Sequence, residues 1–191
     1  MTSGAVVTTE RLELWRPQPG DLADLFELTK AEETRRFLGG FVPSEMDSFA
    51  RLLRNAGSWA LWGYGAFIVR RPGEARIVAT CGVFRSHRGF GAAQGMDNVP
   101  EAGWIVHAEC AGQGIAREAM VAALAWFDRE HGPQRVVCMI EEGNDASVKV
   151  AQMLGFALYG QHVSEDEVVL VLYERLDTPG STTPVRSASP A

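Results

Sequence analysis

The chain is poor in the features that mark several common protein classes. Cysteine occurs three times in 191 residues, as Cys81, Cys110 and Cys138. The count is odd and no Cys-x-x-Cys pair occurs, so neither a disulfide frame nor a zinc site is indicated. The three read as reduced thiols of an intracellular chain. Cys81 and Cys138 lie in apolar strand-like runs and are expected in the core. Cys110 has only His107 near it in sequence, too little for a nucleophile and its base. No apolar run approaches the ~18 residues of a membrane-spanning helix. A charged start followed by an apolar stretch is missing too, so the expected location is the cytoplasm. Positive charge is scarce: 18 Lys and Arg stand against 24 Asp and Glu, for a net charge of −6. The pI is about 5.3, and no broad basic surface invites nucleic acid. Internal repeats are absent.

What is present fits one domain, since 46% of the residues are hydrophobic and the length suffices for a real core. The most informative stretch is Ala111-Gly112-Gln113-Gly114-Ile115-Ala116-Arg117-Glu118-Ala119. It joins a strand-like run over 101–106 to an amphipathic pattern through Met120, Val121, Leu124, Trp126 and Phe127. Glycines at 112 and 114 let the backbone approach a ligand and turn into the helix. The first amides of that helix have no partner within it and, with the positive end of the helix dipole, suit an anion such as a pyrophosphate. A glycine turn that merely packs a helix on a strand explains the same residues. A Walker loop is excluded, because no Lys-Ser or Lys-Thr follows Gly114. A dinucleotide fingerprint is excluded as well, because Arg117 stands where its third glycine belongs.

The segment resembles the acetyl-coenzyme-A loop of the GNAT N-acetyltransferase superfamily, Arg/Gln-x-x-Gly-x-Gly/Ala, which falls here on Ala111, Gly114 and Ala116. Ala111 departs from Arg or Gln. A branch resembling ribosomal-protein N-terminal acetyltransferases departs at that position too and keeps Gly-x-Gly followed by Glu-Ala, as Gly112, Gly114, Glu118 and Ala119 do. Thr9 to Pro17 resembles the opening strand of that branch. Asn144 to Phe156 resembles a second signature, an Asn and a Ser three apart followed by Gly155-Phe156.

The resemblance implies a fold, a cofactor and a site. The fold is a single α/β domain with a mixed, mostly antiparallel sheet splayed between its fourth and fifth strands, and helices on both faces. Acetyl-CoA is the implied co-substrate, without metal. Its pantetheine arm would lie between the splayed strands beside Trp104, Ile105 and Val106, and its pyrophosphate on Ala111, Gly112, Gln113, Gly114, Ile115, Ala116 and Arg117. Asn144 would bond the pantetheine portion. Ser147 would protonate the departing thiolate, a role for which Tyr159 is the alternative, and the Val106 amide would hold the oxyanion. Asn144 and Ser147 also make an ordinary helix cap, which needs no ligand.

Attack of an amine on a thioester needs a base, and Glu101, at the start of the strand that would present the thioester, is the first candidate. Glu141 and Glu142 are second choices, and an exposed strand-end glutamate is the plain alternative. Arg85, Arg88 and Arg117 are candidates for a local cationic patch toward the coenzyme's phosphates.

Period-two and period-3.6 patterning predicts the elements in order. A strand covers 9–16 and a helix starts at Asp21. A second helix is capped by Ser44 with Asp47. Strands at 65–71 and 77–84 flank the turn Pro72-Gly73-Glu74, and a Gly-rich loop covers 86–98. A strand at 101–107, a helix to His131 stopped by Gly132-Pro133, a strand at 136–141, a helix over 146–154, and strands at 156–162 and 167–176 complete the domain over 1–176. Residues 177–191, rich in Pro, Ser and Thr, are expected to be a disordered tail.

The expected acceptor is a protein or peptide N-terminus or a small-molecule amine. Its groove is expected between the first two helices and the Gly-rich loop, where Trp59, Trp62, Phe90 and Asp97 stand out. A homodimer is left open. A non-catalytic acyl-CoA-binding or sensing domain would keep the loop and lose the acid–base groups. An interaction module would use loop 86–98 and Phe90.

Overall fold

A computed structural model describes residues 4–39, 42–91 and 94–176. The stretch from Asp177 that is expected to be a tail lies outside them. The single strand expected over 9–16 is instead a tight hairpin of β1 (Val7–Thr8) and β2 (Glu13–Trp15), paired antiparallel. Thr9 closes its turn: its N–H donates to Leu12 O at 2.8 Å, and its hydroxyl accepts from the Leu12 N–H at 3.0 Å. Thr9 and Leu12 spend backbone groups on that turn, so the strand alternation is realised only outside it.

Helix α1 (Leu22–Lys30) follows. It starts directly after Asp21, whose carboxylate does not cap it but accepts from the Gln18 N–H and pairs with Arg70. A short α2 (Glu32–Arg35), which the periodicity does not announce, precedes α3 (Glu45–Trp62). The expected Ser44 cap of α3 is present: Ser44 Oγ accepts from the Asp47 N–H at 3.1 Å, and the Asp47 carboxylate accepts from the Ser44 N–H at 2.8 Å. Then come β3 (Ala66–Arg70), β4 (Ile77–Arg85), β5 (Pro100–Val106), α4 (Ile115–His131), β6 (Val136–Glu141), α5 (Asp145–Met153), β7 (Ala157–Val163) and β8 (Val169–Arg175).

Among the described residues eight strands form one sheet in the order β1-β2-β3-β4-β5-β6-β8-β7. Every pairing is antiparallel except β5 with β6, as expected for a mixed sheet. Side chains alternate between two cores. Phe67 and Val69 of β3 join Ile115, Met120 and Phe127 of α4 on one face. Ile68, between them, joins Leu25 and Leu28 of α1 and Leu52 of α3 on the other. Each buried aliphatic or aromatic side chain contributes roughly 1.5–3 kcal/mol by leaving water. The helices are thereby clamped to opposite faces of the sheet. Among the described residues no helix is long and apolar enough to cross a membrane.

Candidate functional site

The parallel strands β5 and β6 are bridged at a single pair, Glu101 with Val137, near the start of both. Beyond it they diverge, and the open end of the gap faces the segment that enters α4. The register of β5 on β4 decides where its backbone points. The His107 N–H donates to Val78 O at 2.9 Å, and Ala79 stands opposite Val106. Hydrogen-bonded pairs alternate along an antiparallel ladder, so the amides of Trp104 and Val106 point away from β4, into the gap. Their side chains, with that of Ala102, face α4, while Ile105 faces α1 and α3.

At the open end, Ala111 to Gly114 are exposed and Ile115 is buried, so the turn lies in solvent while the helix it starts is anchored in the core. Gly112 and Gly114 have φ of +74° and +75°, backbone that L side chains rarely adopt. A Cβ on Gly112 would meet nothing within 4 Å, whereas one on Gly114 would lie 3.6 Å from the Arg11 guanidinium. The amides of Ile115, Ala116 and Arg117 begin α4, and the first helical bond runs from the Glu118 N–H to Gly114 O. Gln113 is tied down: its side chain donates to Glu109 O and accepts from Arg71, and its carbonyl accepts from Arg11.

The cations at this turn are therefore Arg11, Arg71 and Arg117. Arg88 and Arg85 lie elsewhere, because Arg88 pairs with Glu101 and Arg85 stands opposite Pro100, at the other end of β5. Seven strand residues, about 20 Å, separate them from the glycine turn. Glu118, in the first turn of α4, accepts from the Thr9 hydroxyl at 2.6 Å and from the Arg11 N–H and Nε. Burial opposes its ionisation, but those hydrogen bonds and the Arg11 charge hold its carboxyl below the usual range.

Across the gap, Trp104 Nε1 donates to Ser147 Oγ at 3.3 Å, joining β5 to α5. Asn144 caps α5, its Oδ1 accepting from the Ser147 N–H at 3.1 Å. Tyr159 lies on the opposite face of the sheet, packed near Met96, Val137 and Leu172, and its hydroxyl donates to Gln94 O.

At the closed end, Glu101 is 3% exposed. Its carboxylate accepts from the Ser86 hydroxyl and is gripped by both Nε and Nη2 of Arg88. Glu141 ends β6 and Glu142 lies in the following turn. All three cysteines are buried and free. The His107 ring faces Arg76 and the Glu109 amide, so it makes no pair with Cys110. A separate cavity of about 480 Å³ lies beside α1, lined in part by Asp24, Glu27, Lys30, Arg76, His107 and Glu109. Its charges already pair with one another, Lys30 with Glu27 and Arg76 with Glu109.

Known proteins are similar to this chain in sequence and in fold. The profile described as the Acetyltransferase (GNAT) domain matches residues 11–157. The chain belongs to the GNAT acetyltransferase family. It is 34% identical to a GNAT-family acetyltransferase from Bordetella pertussis, with 88% of this chain and 98% of that one covered and a TM-score of 0.78. An acetyltransferase from Agrobacterium tumefaciens str. C58 shares the fold at 19% identity and a TM-score of 0.74, with 92% and 96% covered. RimL, a ribosomal L7/L12 α-N-protein acetyltransferase in complex with coenzyme A, shares it at 16% identity and a TM-score of 0.71, with 91% and 98% covered.

In this GNAT chain the described residues of the Gly-rich loop, 86–91 and 94–98, form a brace. The Arg88 and Gly89 amides donate to Asp97, Arg135 donates to Gly95 O, Phe90 stacks on His162 at 3.7 Å, and Met96 is fully buried. Trp59 is core, packed on Phe67 and Trp126, while Trp62 is 45% exposed. Arg11 and Arg71 at the glycine turn and Ser86 beside Glu101 are not legible in the sequence. No local spacing marks them, since each reaches its place through strand pairing.

Proposed function

We propose that this GNAT acetyltransferase moves the acetyl group of acetyl-CoA directly to a primary amine across the gap between β5 and β6. The observation that carries the proposal is the coincidence of a sheet opened after one bridge with an exposed glycine turn and the start of α4 at the opening. The amides of Ile115, Ala116 and Arg117 and the positive helix end suit the pyrophosphate, with Ala111 to Gly114 as the close-approach turn and Arg11, Arg71 and Arg117 around it. Trp104, Ile105 and Val106 border the pantetheine arm, and the Val106 amide, aimed into the gap, serves the oxyanion. A peptide N-terminus and a small amine are both compatible as acceptors.

In the reaction a bond forms between the amine nitrogen and the acetyl carbon, and the carbon–sulfur bond breaks. The nitrogen loses a proton and the thiolate gains one. Ser147 is the proposed donor to sulfur: its oxygen accepts from Trp104, so its own hydrogen is left to give. Asn144 fixes the start of the helix that carries it. Glu101 is the proposed acceptor of the amine's proton; it lies five strand residues, about 16 Å, from the Val106 amide, so the proton passes through water to Ser86, whose hydroxyl already donates to Glu101.

Acetyl-CoA is expected to raise the melting temperature by mass action. Gly114→Glu places a side chain and a like charge where the pyrophosphate would lie, and is expected to remove that rise. Gly63→Glu imposes the same left-handed strain, at φ +77° and ψ 0°, beside His131 at the far end of α4, about 25 Å away, and is expected to keep it. Equal rises in both variants would overturn the placement of the coenzyme.

A further inference from the structure

On the reading that this chain acetylates an amine, we infer that its acceptor is a primary amine bearing its own carboxylate or phosphate. That anion is held by Arg51 and Arg54 of α3 while the amine faces Ser86 and Glu101. Positions 51, 55 and 58 form one stripe of α3. Asn55 donates to Ala66 O at 2.8 Å, at the start of β3. Ser58 donates to Tyr64 O and accepts from the Arg85 N–H, at the end of β4. The stripe thus faces the edge where β4 ends and where Ser86 and Arg88 hold Glu101, and Arg51 continues it toward the start of α3.

Arg51 is half-buried, yet among the described residues no carboxylate pairs with it or with Arg54. Its ionisation lies below the ordinary arginine value, first because of burial, then because of the like charges of Arg54 and Arg88. Arg88 is cancelled by Glu101. Two uncompensated guanidinium groups therefore stand together on a chain whose net charge is −6. A cation partly withdrawn from water and crowded by like charge is costly, and a bound anion relieves it. The planar guanidinium fork suits carboxylate and phosphate alike. An acceptor that is cationic throughout, such as a polyamine, meets repulsion instead.

Matched acceptors test the inference on the full chain. One pair is a peptide beginning with Asp against the same peptide beginning with Asn; the other is O-phosphoethanolamine against ethanolamine. In at least one pair the anionic member is expected to have a kcat/KM at least about tenfold higher, as a charge-assisted hydrogen bond allows. The pair that shows it distinguishes a peptide acceptor from a small one. Arg51→Met and Arg54→Gln are each expected to pull that ratio toward one, and Arg51→Glu to invert it. Arg54 is exposed, so Arg54→Gln decides the matter if Arg51 variants fold poorly. A ratio at or below one in both pairs, no turnover of either anionic member, or a ratio that survives Arg54→Gln overturns the inference. The acetyl-CoA rise in melting temperature, read on the same proteins, separates this outcome from failure of the coenzyme reading.

Discussion

Glu101 and Ser147 differ in what their surroundings leave them free to do. Ser147 accepts one hydrogen bond, from Trp104, and keeps its own proton. Ser147→Ala is expected to lower kcat by about a hundredfold, within the usual reach of a general acid, with little change in the acetyl-CoA-induced melting shift. An unchanged kcat would return Ser147 to a purely capping role. Glu101 is engaged at both oxygens, and Glu101→Gln leaves the Arg88 charge without its partner. A loss of roughly 3 kcal/mol of stability is expected, as when one member of a buried pair is removed, alongside any loss of rate. Ser86→Ala keeps the ion pair and is the cleaner test of the relay. Its rate is expected to fall at neutral pH and to recover at alkaline pH, where the amine is already free base. Burial pushes the Cys81 thiol far up, and burial followed by the Glu101 charge does the same for Cys138. Neither supplies thiolate at neutral pH, so a thiol reagent is expected to label them only on unfolding.

Among the elements, the hairpin of β1 and β2 is stapled to the start of α4 by Thr9 and Arg11 on Glu118. Glu118 ionises more readily folded than unfolded, so the staple's contribution is complete above the ordinary glutamate value of 4.5 and is lost as pH falls through the lower folded value. Arg11 is 53% exposed, so solvent screens the pair. Glu118→Gln is expected to cost no more than about 1 kcal/mol. Denaturant melts of both proteins should differ at neutral pH and converge in acid. Loop 86–98 carries the opposite lesson. Its glycines and Phe90 suggest a free acceptor loop, but Met96 is fully buried against Val137 and Leu172. Met96→Ala is expected to cost about 3 kcal/mol, in the range for emptying a packed site. A loss under about 1 kcal/mol would mean that the loop is not a brace.

At the scale of the whole molecule, the expected domain boundary follows the last strand. β8 ends at Arg175, and Leu176 is 59% exposed. Residues 177–191 offer Pro, Ser and Thr with little to bury, so a chain ending at Leu176 is expected to melt within about 2 °C of the full one and to bind acetyl-CoA equally. A larger drop would place that segment inside the domain.

Local pattern was enough for what depends on neighbours in sequence. The Ser44 cap, the turn after β3, the helix stop at Gly132-Pro133 and the strand at 136–141 follow from residues a few positions apart. So does the glycine turn into α4, because positive φ and a helix start are local requirements. The tertiary structure decided the rest. Glu118 meets Arg11 across 107 positions, and Glu101 meets Val137 across the one bridge that leaves the gap open. Which arginine faces the glycine turn and which is spent on Glu101 depends on strand order and register. Sequence periodicity says which face a side chain takes, but the partner it finds there comes from a distant strand.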